Sequence, residues 1–201
     1  MKPRLIAVCL VIAGMILATP VLAARAPHEI GGLRLGDDIE NHADLLRSGS
    51  DLPIRYFESV REMEVKDTPG YKSGTVSYGN CRHEGKILRI KLKYLDSSRQ
   101  FYEMLLSRYK KRFGEPDVWR GDAFGLIRAW KWSFTDQKGH DLSLVLQHNT
   151  KVDYETMGNS VKLTDRTMWT EEYECHERRN PEPPDKPVTG EPDWEKFLPQ
   201  P

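Results

Sequence analysis

An α+β fold, a largely antiparallel β-sheet built from hairpins with one long amphipathic helix packed on it, is what this sequence predicts. Three observations carry the prediction. Runs with apolar residues at every second position come in pairs around short turn-forming stretches. Residues 97–113 instead carry apolar residues at helical spacing. A short N-terminal helix with start and stop signals precedes both.

In chain order, Ile30 to Leu35 reads as a short strand that Gly36 turns. Asp37 with Glu40 three residues on forms an Asp variant of the capping box. Ile39, Ala43 and Leu46 follow at helical spacing, and Gly49 ends a helix of roughly ten residues. "IRYFESVREMEV" alternates, with Phe57, Ser59, Arg61, Met63 and Val65 on one side, which predicts a strand up to Thr68-Pro69-Gly70. "GTVSYGNC" and "KILRIKLKYL" form a hairpin about His83-Glu84-Gly85. Leu88, Ile90, Leu92 and Tyr94 share its core face, while Arg89, Lys91 and Lys93 share the wet one. If the acidic strand lies beside it, Glu58, Glu62 and Glu64 pair across to those bases.

Asp96 or Ser97 starts the long helix, whose apolar side holds Tyr102, Leu105, Leu106, Tyr109 and Phe113. Gly114 and Pro116 stop it. Arg108, Lys110, Lys111 and Arg112 complement the helix dipole and read as a charged outer face. A second hairpin follows around "TDQKGH": Phe124, Leu126, Trp130, Trp132 and Phe134 face Leu142, Leu144 and Leu146. From Asn149 on, one weak strand at Ser160 to Leu163 is legible. Residues 177–201 contain seven prolines from Pro181 onward and read as an extended tail. Its "DWEKFL" stretch is an apolar handle expected to dock onto the domain.

Residues 1–23 have the anatomy of a secretory signal peptide. Lys2 and Arg4 precede the apolar run Leu5 to Thr19, then Pro20 and a cleavage site after Ala23. Its loss leaves one domain over 24–176 plus the tail, periplasmic or secreted, with no membrane span. It also lowers the 30 basic residues to 28 against 30 acidic ones. Near-neutral charge without a basic footprint argues against nucleic acid as a partner.

Two cysteines remain after cleavage, and two cysteines in an exported chain are expected to pair as Cys81–Cys175. The alternative is a metal site of Cys81, His83, Cys175 and His176, a ligand set that zinc accepts. Against it, Cys-x-His and Cys-His lack the usual ligand spacing.

Catalytic motifs are absent: no Gly-x-Ser-x-Gly elbow, His-Glu-x-x-His, Walker loop or dinucleotide fingerprint. Ser107 to Lys110 fits Ser-x-x-Lys, but its companion fragments run in the wrong order for a penicillin-binding enzyme. The expectation is therefore an exported non-catalytic binding or interaction module without a cofactor. Its rivals are an exported hydrolase whose site assembles only in space, and the metal-binding protein above. The candidate ligand surface is Trp119, Arg128, Trp130 and Trp132, aromatic planes beside one cation that suit a peptide, a glycan, a small anion or a protein partner.

Overall fold

The computed structural model describes residues 26–149, 156–181 and 193–199. The leader expected over residues 1–23 lies outside them, as do residues 182–192 and 200–201 of the expected tail. The strands are β1 (Glu29–Ile30), β2 (Leu33–Arg34), β3 (Leu52–Ile54), β4 (Phe57–Val65), β5 (Tyr71–Gly79), β6 (Ile87–Tyr94), β7 (Val118–Trp119), β8 (Ile127–Thr135), β9 (Asp141–Asn149) and β10 (Gly158–Asp165). Helix α1 spans Arg99–Phe113 and α2 spans Arg166–Arg179. Strands β3 to β10 form one eight-stranded sheet in the order β3-β4-β5-β6-β10-β9-β8-β7, and every pair is antiparallel. This is the expected α+β, sheet-rich architecture.

Register makes the two faces of the sheet chemically opposite. Met63, Val76, Ile90, Leu163, Leu144 and Trp132 are cross-strand partners in one row from β4 to β8. Each is apolar and turned toward α1. One residue along lies the row Glu64, Thr75, Lys91, Lys162, Val145, Lys131, which the pleat turns to the opposite face. The α1 face forms the main core, with Val76, Ile90, Leu146, Val161 and Leu163 at 0% exposure. Helix α2 covers part of the other face: Met168 and Trp169 pack on Phe57, Val60 and Leu88, and the Arg89 guanidinium lies 3.6 Å from the Trp169 ring centroid.

Several expectations change. Gly31 and Gly32, both with positive φ (63° and 80°), fold the expected 30–35 strand into the hairpin β1–β2, because two consecutive left-handed positions make a tight turn. The N-terminal helix shrinks to a single 3-10 turn at Ile39–His42, and its capping position, Asp38, makes no side-chain cap bond. Helix α1 begins at Arg99 with Ser98 as its cap, the Ser98 Oγ accepting from Phe101 N at 3.2 Å. Its 15 residues are matched by the 14 of α2, so α1 is not the one long helix expected. Strand β5 lies between β4 and β6 and prevents the Glu-to-Lys ladder; Glu64 pairs with Arg47 at 2.9 Å instead. A register shift near Tyr78 moves Leu88 off the α1 face and into the α2 cluster.

Helix α2 runs past the boundary expected at residue 176 and is fastened to the β5–β6 connection. Cys81 and Cys175 are disulfide-bonded with their Cα atoms 6.0 Å apart. The fully buried Glu172 accepts from the His83 backbone N–H, and the Ser59 hydroxyl donates to the Glu172 carbonyl at 3.3 Å. Gly79 leaves the room for this carboxylate, since a Cβ there would run into it.

Candidate functional site: a groove between the N-terminal hairpin and helix α1

Helix α1 presents Leu105, Tyr109 and Phe113 at helical spacing, with Arg108 and Arg112 on the solvent border of that stripe. Opposite stands the β1–β2 hairpin with His28, Ile30 and Arg34. Between them opens a groove of about 660 Å3, floored by Leu144 and Leu163 of the sheet and by Tyr71. The floor is apolar and three guanidiniums stand around it.

Electrostatics divide floor from rim. Tyr71 stacks on Tyr94 with ring centroids 5.1 Å apart, and the Tyr94 and Tyr109 hydroxyls hydrogen-bond at 2.8 Å. Burial pushes the Tyr109 phenol up to about 12 and raises Tyr71 and Tyr94 as well, so these hydroxyls stay neutral hydrogen-bonding groups. On the rim, Arg34 reaches Glu29 at 3.4 Å. Arg108 and Arg112 have no carboxylate partner among the described residues; Arg112 lies 5.6 Å from the Phe113 ring centroid. The arrangement accepts an apolar body on the floor and an anionic group at the rim.

The sequence-derived surface is placed differently. Trp132 is 1% exposed and its indole N–H donates to the Gly114 carbonyl at 2.8 Å, which makes it a core residue that also stops α1. Trp119 and Trp130 meet edge to face at 4.8 Å on the sheet border, and Trp119 is 41% exposed. Arg128 finds its carboxylate in Glu103 of α1 at 3.7 Å. The four positions therefore do not form one ligand surface. The "DWEKFL" handle stays outward: Trp194 is 65% exposed and meets Phe197 at a tilt, 6.0 Å away.

Of the four residues in the metal alternative, Cys81 and Cys175 are consumed by the disulfide. His83 contacts Glu171 and His176 lies edge-on to Phe57, so the two imidazoles do not converge on the sulfurs. Elsewhere His28, His42 and His140 meet Asp136, Asp37 and Asp165, while His148 and His176 meet Asn159 and Asn180. Each histidine thus has a carboxylate or amide partner rather than a hydroxyl or thiol to activate.

Sequence reasoning missed Tyr71 and Arg34, and placed Tyr109 only on the apolar side of the helix. It also read Arg108 and Arg112 only as an outer face. Their legible signal was the helical wheel, which puts both arginines beside the apolar stripe. Comparison of the chain with protein-family models, with curated proteins and with solved structures finds no match.

Proposed function

We propose that this protein is an exported, non-catalytic binding module whose groove between β1–β2 and α1 holds a small amphipathic anion. The observation that carries this reading is the pairing of an apolar floor (Leu144, Leu163, Tyr71, Tyr109) with the cationic rim of Arg34, Arg108 and Arg112 around one cavity. An alkyl or aromatic body would lie on the floor, with a carboxylate, sulfate or phosphate at the arginines. Export is supported by the Cys81–Cys175 bond, a linkage suited to an oxidising compartment. No helix of the described residues is long and apolar enough to cross a membrane.

Calorimetric titration of residues 24–201 with octanoate and with octanol tests the reading. Octanoate should bind more tightly than the alcohol. Replacing both Arg108 and Arg112 by Gln should weaken octanoate about tenfold, as expected for two partly exposed ion pairs of roughly 0.5–1 kcal/mol each. Leu105→Trp, which fills the groove, should weaken both ligands. Equal binding of acid and alcohol, or indifference to Leu105→Trp, rules the groove out as the site.

A further inference from the structure

The opposite face of the sheet carries a separate feature. Lys91 on β6 is the cross-strand partner of Lys162 on β10, and Lys162 is joined through Val145 to Lys131 on β8. Lys93 lies two residues along from Lys91 on the same face. With strands about 4.8 Å apart and a rise of about 3.4 Å per residue, successive lysines stem from points roughly 5–10 Å apart, and Lys131 lies about 14 Å from Lys91. Each is half-buried, so the butylene stems lie along the sheet with the ammonium ends at its surface.

Arg120 and Arg166 extend the cluster. Burial, and then the nearby charges of Arg166 and Arg120, pull the Lys131 ammonium below its ordinary range, with Asp117 acting in the other direction. Acids on this face are largely committed: Glu64 pairs with Arg47, and Glu62 acts on Arg89. Lys91 and Lys93 make no salt bridge with the described residues, and in the pocket they line Arg47, Lys72 and these two lysines outnumber the acids Glu64 and Asp67.

Helix α2 sets the shape. It rests on the same face, over Phe57, Val60 and Leu88, and begins at Arg166 beside Lys131. The lysines therefore lie at the foot of a ridge about 10 Å across. We infer that this trough binds a linear acidic glycan, its chain running along α2 from Lys93 to Lys131 with acid groups on successive lysines. A planar bilayer is held away by the α2 ridge. A nucleic acid finds no ring to stack on: the row offers Val145 between Lys162 and Lys131 and Thr75 beyond Lys91, and Trp169 is already covered by Arg89. A thin chain of carboxylates or sulfates fits both the shape and the charge.

The test uses residues 24–201 and polygalacturonate oligomers, measured against dextran, a thymidine 20-mer and phosphatidylglycerol vesicles. Polygalacturonate should bind at low salt and dextran should not. For four neutralised charges, the affinity should fall with salt on a double-logarithmic slope of about −3. The Lys131→Gln/Lys162→Gln pair should cost at least tenfold and flatten the slope by about half. Lys110→Gln/Lys111→Gln on α1 should change neither, and Arg108→Gln/Arg112→Gln should affect octanoate alone. Matching melting temperatures confirm that the variants fold. The inference is overturned by polygalacturonate that fails to bind, or that binds regardless of Lys131 and Lys162. It is equally overturned if the oligonucleotide or the vesicles bind as tightly and lose binding with the same pair.

Discussion

One backbone ladder builds two unlike faces. On the α1 side the rows are apolar from β4 to β8, and α1 answers with Tyr102, Leu105, Leu106, Tyr109 and Phe113. On the α2 side the rows alternate Thr, Val and Lys, and α2 brings little apolar surface beyond Met168 and Trp169. The first contact is held by burial, worth about 1.5–3 kcal/mol for each fully buried large side chain. The second is held by discrete fasteners: the disulfide, the Glu172 carboxylate on the His83 amide, the Ser59 hydroxyl on the Glu172 carbonyl, and Arg179 reaching the Cys81 carbonyl at 3.5 Å. A helix with a full apolar stripe needs no clamp. A helix that buries a glutamate does.

The largest loss comes from the α1 face. Trp132→Ala should cost about 3–5 kcal/mol, read from urea denaturation, because it opens a cavity and orphans the Gly114 carbonyl. A loss below about 1 kcal/mol would mean that this face is not the main source of stability. Next in size is Cys81→Ser/Cys175→Ser, at about 2–4 kcal/mol. Hydrogen exchange in that variant should rise over residues 166–179 while α1 stays protected; uniform loss of protection would erase the distinction between the faces.

A smaller effect depends on pH. The His140 Nδ1–H donates to the carboxylate of Asp165, the residue that caps α2, at 2.7 Å. That bond raises the imidazole above 6.5, burial opposes it, and Asp136 and Glu171 add to the rise. A raised folded value means the stabilisation is fully present below about pH 6.5 and is lost as pH climbs through the folded value. Unfolding free energy should therefore decline between about pH 6 and 8, and His140→Asn should remove that part of the slope. An NMR-measured His140 value at or below 6.5 would contradict this. Smallest of all, Lys91→Ala should shift stability by no more than about 0.5 kcal/mol, since the α2 face draws little from its lysines.

Much of the sheet was legible because period-two alternation is a local property. The hairpins β5–β6 and β8–β9 lie where Gly85 and Gly139 mark turns, both with positive φ. The stretch Arg166–Arg179 was illegible as a helix because only Met168 and Glu172 are buried in it, and a buried glutamate leaves no apolar period. Strand β10 was read only in part, since serine, threonine and lysine interrupt its valine and leucine although every residue but Lys162 is buried. Trp130 and Trp132 gave a correct face but could not show depth: α1 lies over Trp132, while Trp130 reaches the border. The groove was hidden for another reason. His28, Tyr71, Arg108 and Leu163 come from four distant parts of the chain.

By itself, the sequence determined the α+β class, the sheet's hairpins, the stop of α1 and the pairing of Cys81 with Cys175. These follow from neighbouring residues, or from having two cysteines and no third beyond residue 23. Tertiary structure decided the insertion of β10 between β6 and β9, the helical state of residues 166–179, and the separation of a groove face from a lysine face. Those depend on strand order, and strand order is fixed by the total burial of the whole chain rather than by any one segment.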